Sequence, residues 1–329
     1  MKRDPYFDVL KFFAMFLVVL GRAYWEMGCK TGMPYFENFR CGMNMPLFFM
    51  ISGYFAAHTI ESGDWRKLCR HLVGYFWPVA VVSIVFAAFA VAFRIPGSEK
   101  GFVGYAGRWF LFSPWFLWCL AICFALTFGV CRLNRPFFRV GIGLIMAIAL
   151  PCLEKVWGMH NVRAMLPYFL LGVFVLRRWP LWKDWRIGLA CVLIFVMGVC
   201  LQGDIRANGL SFYKGVTTWK AFISDGHALP FYVIRLVNGM VGSLGMMWLL
   251  GLLMERFSAL TKLAAFGTTT LGIYILHQWF LARIVDSGWM GSSIYQVVFC
   301  TLILFFVCHL VILAIRKPLV LRKALLGEW

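Results

Sequence analysis

One pattern recurs along this chain: an apolar run of bilayer-spanning length. Ten such runs centre near Phe16, Phe49, Ile84, Ile122, Met146, Leu170, Phe195, Val241, Tyr274 and Leu304. A helix needs about 20 mainly apolar residues to cross the hydrocarbon, and in lipid every backbone polar group has to be paired within the protein. The expectation is therefore an all-α polytopic membrane bundle of about ten transmembrane helices, forming a single domain over residues 1–329. Composition agrees: 62% of the 329 residues are hydrophobic and 14% are charged, whereas soluble domains carry about a quarter charged residues.

The formal charge of +18 would suggest a nucleic-acid partner in a soluble chain. Here it follows from where the cations fall between spans, and no nucleic acid is expected. With the N-terminus inside, eighteen of the 32 Lys and Arg lie in inner segments, eleven in outer loops and three (Lys11, Arg22 and Arg235) within spans. The positive-inside rule then places both termini in the cytoplasm. On this reading Arg94 to Arg108 belong to an outer loop, Pro46 opens the second helix in its first turn, and Gly203 to Leu229 form the longest connection.

The first run carries the least expected residues. Lys11 and Arg22 stand eleven positions apart in it, roughly 16 Å along a helix axis. A charge inside a span marks a functional site by default. Arg22 precedes Glu26 by four residues, a spacing that by itself reads as an ion pair on one helix face.

The words around these charges make a longer pattern. Asp8-x-x-Lys11, the Val18-Val19-Leu20-Gly21 run and Met45-Pro46-Leu47-Phe48-Phe49-Met50-Ile51-Ser52-Gly53 come first. Arg70-x7-Pro78, Pro114-Trp115-Phe116-Leu117-Trp118, Pro167-Tyr168-Phe169-Leu170-Leu171-Gly172 and Leu271-Gly272-Ile273-Tyr274-Ile275-Leu276-His277 follow in order. The set resembles the acyltransferase-3 family of integral membrane acyltransferases, most of all its fucose 4-O-acetylase-like branch. The resemblance implies transfer of an acyl group, acetyl first, from acetyl-CoA or another acyl-CoA to a hydroxyl of a glycan or lipid-linked sugar. It also implies a place in the bacterial inner membrane among its lipids.

One departure outweighs the matches. The family pairs a basic residue in the first span with a His eleven positions later, and the resemblance implies that this His is the general base. Here that position is Arg22. A base needs a pKa near the working pH, and arginine is effectively never deprotonated. Three accounts stay open: a substituted, impaired enzyme; a homologue that binds without transfer; or a different base, His277 or Glu26. A polysaccharide-intermediate transporter or flippase is the alternative from another class, with the intramembrane charges lining its path.

The resemblance further places the phosphates of coenzyme A near Lys11, Arg66, Lys67 and Arg70. Arg40, Ser52, Trp115, Trp118 and Tyr274 fall to the acceptor or the acyl tunnel. Arg40 also reads as an interfacial cation, and the Trp residues as an aromatic belt. His58, His71 and His309 read as structural. Cys29 and Cys41 are close enough in sequence to pair in an oxidising compartment. No His, Cys or carboxylate grouping has metal-ligand spacing, and no metal is expected.

Overall fold

A computed structural model describes residues 4–29, 34–95, 99, 101–112, 114–132, 159–201, 228–288, 291–318 and 321–322. Among them the chain is helical, with no strand. Helix α1 spans Pro5–Glu26; Pro5 opens it, and the Asp4 carboxylate caps it by accepting from the Tyr6 N–H at 2.9 Å. Then come α2 (Pro34–Ser62), α3 (Trp65–Ala92), α4 (Gly101–Phe112) and α5 (Trp115–Cys131). Helix α6 (Met159–Leu170) continues into a π-helical turn, Leu171–Leu176. After it follow α7 (Trp185–Leu201), α8 (Ala228–Arg256), the short α9 (Ala264–Gly267), α10 (Thr270–Asp286) and α11 (Ile294–Arg316). Nine of the ten sequence-derived centres fall in these helices. The tenth, Met146, lies outside the described residues, as do residues 202–227 of the long connection.

Among the described residues three helices, Trp65–Ala92, Val233–Arg256 and Ile294–Arg316, are long and apolar enough to cross a membrane unaided. The protein is an integral membrane helical bundle. Two expectations are corrected. Pro46 lies inside α2 rather than in its first turn, because the helix begins twelve residues earlier at Pro34; membrane helices tolerate an internal Pro when neighbours satisfy the freed backbone. The stretch expected as an outer loop after Arg94 contains α4, a helix of 12 residues. With 12 residues, one of them Arg108, it is too short to cross the bilayer alone.

Helices α1 and α2 form the centre. Helix α1 packs on α2, α9, α10 and α11, while α2 packs on α5, α6, α7 and α8. Where α2 crosses the end of α6, glycine replaces side chains on both faces. A Cβ at Gly53 would lie 3.0 Å from the Phe169 carbonyl carbon, and one at Gly172 would lie 2.8 Å from the Tyr54 nitrogen. Small residues allow this close approach in membrane bundles.

The segment before α10 is broken: Ser258–Gly267 meets Thr270–Asp286 at 67°. Side chains of α11 hold the elbow. Arg316 donates to the Thr268 carbonyl at 2.8 Å and to its hydroxyl at 3.1 Å. The Thr269 hydroxyl and His309 Nδ1 are hydrogen-bonded at 2.9 Å. His309 thus bridges α11 to the elbow, and His71 is hydrogen-bonded with the Thr59 hydroxyl at 3.3 Å. Cys29 is a free thiol, while the side chain of Cys41 lies outside the described residues.

Candidate functional site

The two charges of α1 build two centres at opposite ends of one helix. At its C-terminal end Arg22 Nη2 lies 2.9 Å from Glu26 Oε1, with the side chains 47% and 38% exposed. The i,i+4 spacing therefore makes the ion pair that the sequence suggested. Glu26 thus holds the Arg22 cation on one helix face.

Two further elements bring side chains to this end. The Arg40 side chain of α2 lies directly over Gly21, with its Cδ 2.6 Å from where a Cβ would stand. The glycine before Arg22 thereby leaves a seat for a second guanidinium. From α10, which packs on α1, comes His277, which is 1% exposed. Its Nδ1 is 3.0 Å from the Ile273 carbonyl. A carbonyl only accepts, so Nδ1 carries the proton and Nε2 presents a lone pair. Among the described residues that buried Nε2 has no hydrogen-bond partner. One turn earlier the Tyr274 ring lies 5.9 Å from the His277 ring. The Tyr274 oxygen accepts from the Phe116 N–H at 3.3 Å.

At the N-terminal end Lys11 lies 3.4 Å from Asp8, whose side chain is 5% exposed. The ammonium also sits 4.9 Å from the centroid of the Phe55 ring on α2, a cation–π contact. Phe7 stacks on Tyr54 at 4.8 Å and meets Trp182 at 6.2 Å, which walls this end with aromatic rings. Asp8 is a member of this centre that the sequence showed only as a motif letter, although its i,i+3 spacing from Lys11 was visible. Phe55 left no sequence signal, because its role depends on how α2 crosses α1.

The remaining expected residues are distributed more loosely. Arg66, Lys67 and Arg70 occupy the first turns of α3, where Asp64 caps the helix through the Arg66 N–H at 2.9 Å and pairs with Lys67 at 4.0 Å. Arg66 and Arg70 are exposed. They stand beyond the end of α2 at Ser62. Ser52 is half-buried beside the Gly53 crossing. The Trp118 indole donates to the Phe110 carbonyl at 3.2 Å, and its ring lies 4.2 Å from Phe76, so it ties α4 and α3 to α5. Trp115 is half-buried at the start of α5, its ring edge-on to Phe116 at 6.4 Å. Among the described residues no three His, Cys, Asp or Glu side chains are grouped to hold a metal ion.

Comparison with known proteins bears on the family of the whole chain. The family described as an acyltransferase domain matches residues 4–315. The inner membrane protein YcfT of Escherichia coli K12 is 24% identical over 263 residues, which is 74% of this chain and 66% of YcfT. The nodulation protein NolL of Sinorhizobium fredii NGR234 is 29% identical over 184 residues, 52% of this chain and 48% of NolL. The chain thus spans just under two thirds of the first relative and about half of the second. No solved structure matches it. With nearly its whole length matched by that one profile, the chain belongs to the acyltransferase-3 family of membrane acyltransferases.

Proposed function

We propose that this protein handles acyl transfer from an acyl-CoA, acetyl-CoA first, to a hydroxyl of a surface glycan or its lipid-linked precursor in the bacterial inner membrane. The observation that carries the reading is the division of α1: a lysine centre at one end, and Arg22, Glu26, Arg40 and His277 at the other, roughly 16 Å away. With both termini in the cytoplasm, Lys11 faces the supply of acyl-CoA. Its ammonium and the cations at the start of α3 suit the phosphates. The thioester then reaches the Arg22 end. There the acceptor oxygen attacks the acyl carbon, a C–O bond forms, the C–S bond breaks, and the hydroxyl proton passes to a base and on to the departing thiolate.

Arg22 stands where that base belongs and cannot accept the proton. Transfer by this chain is therefore impaired, by about 10²- to 10⁴-fold relative to a His at position 22. Any residual transfer runs through His277, whose Nε2 is the unpartnered basic nitrogen of this cluster. The test is transfer from radiolabelled acetyl-CoA in membranes carrying the chain or its Arg22→His variant, offered a pool of glycan acceptors. Transfer that rises with Arg22→His supports the reading. Equal, easily measured transfer in both moves the base to His277. A transport function is favoured by one observation, the 67° break before α10, since discontinuous helices line substrate paths in transporters. Glycan uptake into proteoliposomes with no acyl transfer would select it.

A further inference from the structure

The elbow before α10 lies on the stretch of α1 that carries the Lys11 centre. Gly267 is the last residue of α9, and a Cβ there would fall on the Asp8 carbonyl group and stand 2.8 Å from the Asp8 Cα. The two backbones touch, an approach that glycine allows. Beside it the Phe266 ring meets that of Phe12, the residue after Lys11, at 5.6 Å. We propose that the elbow is a brace for this end of α1, and that His309 and Arg316 of α11 are positioning residues for the Lys11 ammonium. The proposal rests on the acyltransferase reading and adds to it residues from the far end of the chain.

The brace is held from one face of α11. Phe305, His309 and Arg316 follow at spacings of four and seven residues, which line them up on a helix. Phe305 meets Phe12 at 5.2 Å. The His309 ring lies 4.3 Å from Phe266, and two nitrogens of the Arg316 guanidinium reach Thr268. Between them sits Thr269, which is 1% exposed. Its hydroxyl donates to the Phe266 carbonyl at 2.8 Å. That uses its one proton, so in the 2.9 Å bond with His309 it accepts, and Nδ1 donates. Each polar contact therefore has a defined direction, and all of them end on the two residues that make the bend.

Asp8 links the brace to the charge. Its carboxylate lies 3.4 Å from the Lys11 ammonium, and its side chain is 5% exposed. The ammonium is set by this i,i+3 partner and by the Phe55 ring at 4.9 Å. Both contacts hold only while the first turns of α1 keep their place against α2. The elbow presses on those turns from another side, since α1 packs on α9 as well as on α2. Lifting it would uncover the Asp8 turn, and an ion pair that water reaches holds its partners loosely. A straight span before α10 would need no clamp from α11 and would not lay its backbone on that of α1.

The experiment is a double-mutant cycle on the affinity of the purified full chain in detergent for labelled coenzyme A, which requires no turnover. His309→Leu, Arg316→Leu and Gly267→Ala are each made with Lys11 present and again together with Lys11→Ala. With Lys11 present, each is expected to lower affinity about three- to tenfold. Together with Lys11→Ala, the same changes are expected to lower it no further. His309→Asn, which keeps an N–H donor near the place of Nδ1, is expected to bind as the unaltered chain does. If Gly267→Ala does not fold, the two changes on α11 carry the test. Equal losses in both backgrounds would make the elbow a support of the fold alone and overturn the proposal. Unchanged affinity in the folded variants overturns it too. If the unaltered chain binds CoA and Lys11→Ala binds it equally well, the proposal falls while the acyltransferase reading stands. Failure of the unaltered chain to bind CoA at all overturns both.

Discussion

Two glycines offer the same chemical change with opposite consequences. At Gly21 a new methyl group meets the Arg40 guanidinium and Cδ, the far end of a flexible side chain. At Gly53 it meets the backbone carbonyl of Phe169, with the carbonyl carbon at 3.0 Å and the Gly172 Cα at 3.2 Å. Each Gly→Ala change gains roughly 0.5–1 kcal/mol of helix propensity. At Gly21 the obstacle moves aside, so Gly21→Ala is expected to leave stability within about 1 kcal/mol while evicting Arg40 from beside Arg22. At Gly53 the obstacle is a helix, and α2 and α6 have to separate. Overpacking of that kind costs typically 1–3 kcal/mol, so Gly53→Ala is expected to be destabilising by about 1–2 kcal/mol net, a few degrees in thermal midpoint. The assay is thermal unfolding of both variants in detergent, with acceptor-dependent acyl transfer measured in the Arg22→His background. Gly21→Ala should keep its midpoint and lose transfer, and Gly53→Ala should lose its midpoint. The reasoning fails if the two midpoints fall together, or if Gly21→Ala transfers as well as its parent.

Other outcomes follow from the same contacts. His277→Gln is expected to lower any residual transfer of the unaltered chain at least about 100-fold with little change in unfolding temperature; transfer that survives in a folded His277→Gln protein rules out Nε2 as the base. Lys11→Ala removes one charge-assisted phosphate contact of about 1.5–3 kcal/mol, so acyl-CoA affinity should drop roughly tenfold or more in a competition assay, and unchanged affinity removes Lys11 from the donor site. Arg316→Leu releases the Thr268 carbonyl at the elbow before α10; cysteine cross-linking between α10 and α11 should become faster and less selective, and an unchanged pattern would show that the His309–Thr269 bond holds the elbow alone.

The sequence made the helices legible because the bilayer imposes a length and a polarity that need no tertiary information. It made the two ends of α1 legible for the same reason: Lys11 and Arg22 are conspicuous in an apolar run, and the Arg22–Glu26 pair is set by local spacing alone. Helix α4 escaped because its residues are too few to span a bilayer and are broken by Arg108. The elbow before α10 escaped because it contains no proline; the break is held from outside, by Arg316 and His309 on a helix that comes later in the chain.

What sequence could not supply is which faces meet. His277 was visible as a histidine in a span, but its role depends on three facts of packing. The Ile273 carbonyl fixes its tautomer, Nε2 has no hydrogen-bond partner among the described residues, and α10 packs on α1, the helix that carries Arg22. Arg40 shows the converse. Its position at the start of a helix suggests an interfacial cation, yet the glycine at position 21 on a different helix turns it toward the site. A substitution at position 22 therefore does not act alone. A His placed there would enter a setting in which Glu26 can orient it and Arg40 stands beside it. The Arg22–Glu26 pair it replaces is too exposed to matter much for stability, about 0–1 kcal/mol. On that argument Arg22→His should fold as well as its parent and differ from it in chemistry alone.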